Sequence, residues 1–253
     1  MKKAILSAKG LCKSFAHNGV QTHIITNVDV EFYEGDFTIV MGASGSGKST
    51  MLYSLSGMDR PTAGDVFYKG ENIASMSEKK LAELRHQDFG FIFQQMHLIS
   101  NLTLFENVAV PGYLNKEKST ADVKKRAEML LKRMGLGEVM THLPSQVSGG
   151  QQQRCAIARS IINEPGLLFA DEPTGALNRK NTTEVLDLLT DLNREGQSII
   201  MVTHDMRAAL RASRVVYIED GKVVGDLKLS EYLPEEESKR EKQVSAWLNS
   251  MGW

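Results

Sequence analysis

Only two cysteines, Cys12 and Cys155, occur in 253 residues, and they stand far apart with no ligand-like neighbours. A reducing compartment is the simplest setting for such a chain. No apolar run approaches the roughly 20 residues needed to span a bilayer. The start, Met1-Lys2-Lys3 followed by Ala4-Ile5-Leu6-Ser7, is basic but has too short an apolar stretch for a secretion signal. The expected location is the cytoplasm, unless a partner holds the chain at a membrane. Charge of neither sign predominates: 30 Lys and Arg face 31 Asp and Glu, a net charge of −1. No strongly basic face for nucleic acid is advertised, although a local patch can hide in a balanced total. Internal repeats and low-complexity tracts are absent as well. What remains is 42% hydrophobic and 24% charged, ample for a sizeable core in one large α/β domain or two small lobes.

Along the chain, Val28, Val30 and Phe32 alternate with polar residues, as a half-buried strand should. Phe37–Met41, Gly166–Ala170 and Ser198–Val202 are short continuous apolar runs. Such runs predict parallel strands buried on both faces. Ser119 is placed to cap a helix carrying Val123, Ala127, Leu130 and Met134, with Gly135 at its end. A second helix carries Val185, Leu188, Leu189 and Leu192 and stops near Gly196. Two apolar runs flank Glu219-Asp220-Gly221, a hairpin signal. The alternation of strands and helices predicts an α/β core with a helical insert at about residues 90–160. The highly charged segment from Glu235 onward still sets Val244, Trp247, Leu248 and Met251 on one helical face.

The run Gly42-Ala43-Ser44-Gly45-Ser46-Gly47-Lys48-Ser49-Thr50 contains the pattern G-x-x-x-x-G-K-[ST]. It follows an apolar strand and precedes Met51–Leu55, which can begin a helix. Glycines let the backbone approach phosphates and turn its N–H groups inward. The helix N-terminus adds a positive dipole end. Lys48 can reach the β- and γ-phosphates of ATP, and the Ser49 hydroxyl can ligate Mg²⁺. The bland alternative is a flexible glycine-rich turn, and the eight-position pattern with its flanks argues against it.

Asp171 ends the apolar run Leu167–Ala170, where a carboxylate is costly without a cation. Mg²⁺ bound with a nucleotide supplies one. Glu172 follows directly, placed to polarise a water for in-line attack on the γ-phosphate.

Val147-Ser148-Gly149-Gly150-Gln151-Gln152-Gln153-Arg154 resembles the signature motif of ABC-type ATPases, which usually begins with Leu. Asp171-Glu172-Pro173-Thr174 resembles their second nucleotide motif, His204 their switch histidine, and Gln94 their Q-loop glutamine, which also approaches the metal. Phe15 falls where the family places an aromatic that stacks on adenine; many members have Tyr there. Singly, these residues read as an ordinary strand-end histidine, surface glutamine, core phenylalanine and turn. Their occurrence in the family's order over residues 4–230 carries the resemblance. It implies a P-loop NTPase core with a mostly parallel sheet, an antiparallel N-terminal β part and a helical signature lobe. The implied ATP-binding domain is 1–230, with 231–253 as a charged amphipathic tail. It further implies that Ser148, Gly149, Gly150 and Gln151 form a second anion site. Two copies pack head to tail, and each ATP sits between the phosphate loop of one and the signature of the other. Hydrolysis then opens the dimer.

Thr174-Gly175-Ala176-Leu177-Asn178 and Phe93–Ile99 look like the branch that powers lipoprotein release, macrolide export and bacitracin resistance. That branch works with a separate FtsX-like membrane permease, which places the ATPase on the cytoplasmic face of the plasma membrane. Two functions share this cassette: energising export or mechanotransmission of an antimicrobial peptide, drug or lipid-linked cargo, or regulating cell-wall enzymes through a non-transporting permease-like partner. Action on nucleic acid is not expected. Asn178 departs from the branch, which usually has Asp, and puts the contact to the opposite subunit in doubt. Met96, Leu98, Ile99, Leu102 and Leu104 supply either an apolar docking patch for the permease or core. The tail either packs on its own domain or docks on a partner or membrane surface.

Overall fold

The structure, a computed structural model, describes residues 2–17 and 19–253. The chain opens with strands β1 (Ala4–His17), β2 (Val20–Tyr33) and β3 (Phe37–Met41), then helix α1 (Lys48–Leu55) and strands β4 (Ala63–Tyr68) and β5 (Glu71–Asn72). Helix α2 (Glu78–Gln87), strand β6 (Phe89–Phe93) and helices α3 (Leu104–Tyr113), α4 (Thr120–Arg133) and α5 (Gly149–Ser160) follow. Strand β7 (Leu167–Asp171), α6 (Arg179–Arg194), β8 (Ser198–Val202) and α7 (Met206–Ala209) lead to β9 (Arg214–Glu219), β10 (Lys222–Lys228) and α8 (Glu237–Ser250). Two compact bodies result: Met1–Leu81 with Asn193–Trp253, and Ala82–Leu192.

In the first body an antiparallel sheet runs β2-β1-β4-β5. Leu6 pairs with Phe32, Ala8 with Val30 and Leu11 with Val28, and all six side chains are buried. The alternation read at Val28, Val30 and Phe32 is therefore the core face of β2. In the other sheet β3 lies parallel to both β8 and β9, and β10 closes antiparallel on β9. Every residue of β3 and β8 is buried, the reason both are apolar but for Thr38 and Ser198. Asp220 (φ 46°) and Gly221 (φ 72°) make the two-residue turn between β9 and β10 in left-handed backbone, the conformation a tight hairpin turn requires. Buried Arg214 on β9 forms a two-pronged ion pair with Asp226 on β10, at 2.9 and 2.7 Å. This pairing holds the Asp226 carboxyl below the usual range.

In the second body β6 and β7 are parallel partners. Phe91 stacks on Phe169 at 5.6 Å between ring centres, and Phe89 meets Phe169 edge-on at 5.1 Å. Helix α3 starts at a reciprocal cap between Thr103 and Glu106. Helix α4 starts at Ser119, whose hydroxyl accepts from the Asp122 N–H, and buries Val123, Ala127 and Leu130. Buried Asn107 pins the preceding loop by accepting from the Ile99 N–H and donating to the Ile99, Leu102 and Thr103 carbonyls. Helix α6 buries Val185, Leu189 and Leu192.

Candidate functional site

The phosphate-loop pattern lies between β3 and α1, the strand and helix its physics requires. Its glycines do different jobs. A Cβ on Gly42 would lie 2.1 Å from the Ile218 carbonyl oxygen, and one on Gly47 2.9 Å from the Ile24 carbonyl oxygen. Gly45, at φ 80°, faces open space, so its backbone and not its surroundings favours glycine. The loop is tied to the hairpin turn by the Gly221 N–H, which donates to the Ser46 carbonyl at 3.1 Å. Lys48 is buried and donates from Nζ to the carbonyls of Gly42 and Ala43, at 2.9 and 2.8 Å. Ala43, Ser44 and Gly45 are exposed, and Ser49 and Thr50 half-buried, in the first turn of α1 or just before it. No side chain caps α1, and no carboxylate occupies its first turn. The Ser46 hydroxyl is buried and has no hydrogen-bond partner among the described residues. A buried hydroxyl left unpaired within this loop fits an anion with several acceptor oxygens, as a triphosphate has.

The first body also carries Phe15 and His204. Phe15 is 48% exposed on β1, with the Lys13 ammonium 4.9 Å from its ring centre. Lys13 in turn bonds Asp59 at 2.5 Å and the Arg60 carbonyl at 2.7 Å, which ties β1 to the segment after α1. His204 is exposed between β8 and α7. Its neighbours are fixed on both sides: the Thr203 N–H donates to the Val40 carbonyl at 3.2 Å, and the Asp205 carboxylate accepts from the Arg207 N–H at 2.9 Å.

The second body carries Gln94, Ser148–Gln151, Asp171 and Glu172. In the β6–β7 pairing Phe93 stands opposite Asp171, so Gln94 and Glu172 are the next residues along the two strands. A Cβ on Gly175 would lie 2.9 Å from Gln94 Nε2, so the glutamine side chain lies along the loop that follows Glu172. Glu172 has φ 46°, a left-handed backbone that a non-glycine residue adopts at a cost. Its carbonyl accepts from the Gly175 N–H at 3.0 Å, which closes a tight turn. Asp171 and Gln94 here, like Ser49 in the first body, each carry a side-chain oxygen, the donor type a hard cation such as Mg²⁺ takes. Among the described residues no cluster of His, Cys, Asp and Glu forms a metal site by itself.

Ser148 caps α5 reciprocally: its hydroxyl accepts from the Gln151 N–H at 3.3 Å, and its own N–H donates to Gln151 Oε1 at 2.8 Å. Gly149 is exposed. A Cβ on Gly150 would lie 2.4 Å from the Asn181 side chain, so α5 and α6 approach each other only through a glycine. Asn178 caps α6, accepting from the Asn181 N–H at 2.9 Å. The departure from Asp at this position thus keeps the cap, since Asn and Asp serve equally there.

Two residues of α5 have structural partners that no sequence pattern suggested. Fully buried Gln153 donates to the Phe93 carbonyl, and Arg159 donates to the carbonyls of Met96 and His97 at 2.7 and 2.6 Å. The signature helix thereby grips the Gln94 loop from both ends. Of the apolar residues after that loop, Leu104 is core, Ile99 is 49% exposed, and Met96, Leu98 and Leu102 are half-buried.

The profile of the ABC transporter family matches residues 25–175. The chain is 44% identical over 223 residues, 88% of its length, to the macrolide export ATP-binding/permease protein MacB of Wolinella succinogenes. It spans 34% of that relative's length. Among solved structures it is similar to the ATP-binding cassette MJ0796 in a dimeric post-hydrolysis state bound to ADP and Pi. The TM-score is 0.83 at 37% identity, covering 90% of this chain and all of the other. The cbiO1 protein of Clostridium perfringens, part of the transporter complex cbiONQ, gives a TM-score of 0.81 at 27% identity over 98% of this chain and 95% of its own. The chain belongs to the ABC transporter family, as one of its ATPase, ATP-binding domains.

Proposed function

We propose that this chain energises a membrane transporter by closing, with a second copy of itself, on two molecules of ATP. The observation that carries this reading is the loop Gly42–Thr50, with its glycines required at Gly42 and Gly47 and its buried, unpaired Ser46 hydroxyl. ATP phosphates accept from the amides of Gly42, Ala43, Ser44, Gly45, Ser46, Gly47, Lys48, Ser49 and Thr50. Lys48 exchanges its two loop carbonyls for phosphate oxygens, and exposed Phe15 stacks on the adenine. The metal, when bound, neutralises phosphate charge and would be held by Ser49, Gln94 and Asp171. Glu172 orients a water and draws on its proton as the water oxygen attacks the γ-phosphorus. The bond to the β–γ bridging oxygen breaks, leaving ADP and phosphate. His204 contacts the γ-phosphate, and Gln94 positions the water. The strained Glu172 backbone supports a role in which side-chain direction outweighs local stability.

The capped start of α5 supports the second half of the site. Ser148, Gly149, Gly150 and Gln151 of one copy meet the γ-phosphate held by the other. The dimeric state of MJ0796 favours this arrangement. In this reading residues 1–230 form the ATP-binding domain with a helical lobe at about 90–160, and 231–253 an appended tail. Similarity to MacB favours an export or mechanotransmission system. The partner is an integral membrane permease of the FtsX-like kind, with the ATPase peripheral on the cytoplasmic face of the plasma membrane and no nucleic acid involved. Exposed Ile99 with half-buried Met96, Leu98 and Leu102 offers an apolar surface for it.

Glu172→Gln is the direct test. It should bind ATP, elute as a dimer and lose most turnover; monomers with ATP, or full residual hydrolysis, sink the reading. Purification from native membranes should bring a permease with the chain, and recovery without any membrane partner would count against the transport role.

A further inference from the structure

The segment after His204 has little to hold it in place by itself. Helix α7 is four residues long, and a single turn of helix is unstable in isolation. Its start is capped by Asp205. Its other end is held from a distance. Arg240, on α8 near the chain's end, is buried and donates from Nε to the Leu210 carbonyl and from Nη2 to the Ala212 carbonyl. Nη1 donates to the Ser230 carbonyl at 2.9 Å. The Leu210 and Ala212 carbonyls lie at and just beyond the end of α7, where a helix leaves acceptors without partners inside itself. One turn further along α8, the Ser245 hydroxyl donates to Met206 Sδ at 3.7 Å, at the start of α7. Val244 and Leu248 are fully buried, and Trp247 meets the Tyr217 ring edge-on at 6.4 Å. Helix α8 therefore touches α7 at both ends, and only Asp205 stands between His204 and α7.

We infer that Arg240 is a positioning residue for His204: through the carbonyls of Leu210 and Ala212 it sets where α7 lies, and α7 sets where His204 reaches. The inference rests on the role given to His204 above. A planar guanidinium with donors in fixed directions is suited to hold several carbonyls at once, whereas an ammonium holds them as a point charge. Helix α8 lies outside the phosphate loop, the signature and the carboxylate pair, so any force that shifts it acts on turnover before it acts on nucleotide affinity.

The test uses the full chain and ATP turnover across a range of ATP concentrations. Arg240→Gln is expected to lower kcat about tenfold and leave KM within about twofold. Arg240→Lys should keep the fold and lose a smaller part of kcat. Thermal unfolding with ATP identifies the folded variants, and where Arg240→Gln does not fold, Arg240→Lys carries the test. In a His204→Ala background the Arg240 substitution should add no further loss. Losses that multiply overturn the inference, as does wild-type kcat in the folded variants when His204→Ala alone is impaired. If His204→Ala itself keeps full turnover, the role of His204 fails, and the inference falls with it.

Discussion

The side-chain amide of Gln153 donates to the Phe93 carbonyl at 3.2 Å, joining the signature helix to the strand that ends one residue before Gln94. The same residue leaves its Oε1 buried with no hydrogen-bond partner among the described residues. Two costs therefore oppose each other at one side chain. Gln153→Met loses a hydrogen bond worth about 1 kcal/mol but also removes an unpaired oxygen that costs about as much. Urea unfolding should place the variant within about 1 kcal/mol of the parent, while ATP turnover falls because the Gln94 loop keeps only its Arg159 tie to α5. A loss of several kcal/mol with turnover preserved would make Gln153 a purely structural residue.

The glycines of the phosphate loop separate steric need from backbone need. Gly42→Ala drives a methyl group into the Ile218 carbonyl oxygen and should abolish ATP binding, read by equilibrium titration with a fluorescent nucleotide. Gly45→Ala meets no atom and pays only for left-handed backbone, about 1 kcal/mol. It should keep measurable binding. Equal loss in both variants would contradict this division.

Asn178 acts first as a helix cap. Asn178→Ala should destabilise by about 1 kcal/mol, and Asn178→Asp by nearly nothing. Chemical denaturation measures both. If Asn178→Asp nonetheless alters turnover, the missing charge matters at the subunit contact and not in the fold.

Cys155 is buried at the middle of α5, and burial pushes its thiol up to about 12. An unfolded thiol titrates near 8.5. Because the folded value is raised, this group's contribution to stability is complete below the unfolded value and is lost as pH rises from about 8.5 toward 12. Cys155→Ala should flatten that part of the alkaline stability profile. Alkylation of the native protein should label half-buried Cys12 and spare Cys155 until denaturant is added; rapid native labelling of Cys155 would contradict its burial.

Several elements were legible because their physics is local. Strands β3 and β8 are buried on both faces, so each is mostly apolar, with Thr38 and Ser198 the polar residues. The turn at Asp220-Gly221 needs left-handed backbone, which only a few residue types supply cheaply. The first half of β2 was not legible: Val20–His23 is exposed, so no alternation marks it. The tail's apolar face was readable, but whether it met this chain or a partner was not. Its place within the first body shows in the burial of Val244 and Leu248 and in Arg240 meeting Leu210 and Ala212, residues distant in sequence.

For the proposed phosphate loop, the sequence by itself carried the whole pattern, because cradling a phosphate is backbone work done by consecutive residues. The carboxylate pair and the signature were legible for the same reason, each being a short motif at the end of a strand or the start of a helix. Only the tertiary structure decided what stands behind them. Gln153 reaches Phe93 across 60 positions, Arg159 reaches Met96 across 63, and Arg240 reaches Ala212 across 28. Each of these donors seeks a backbone carbonyl, a group that every residue carries, so no residue type at the acceptor end marks the partnership in advance.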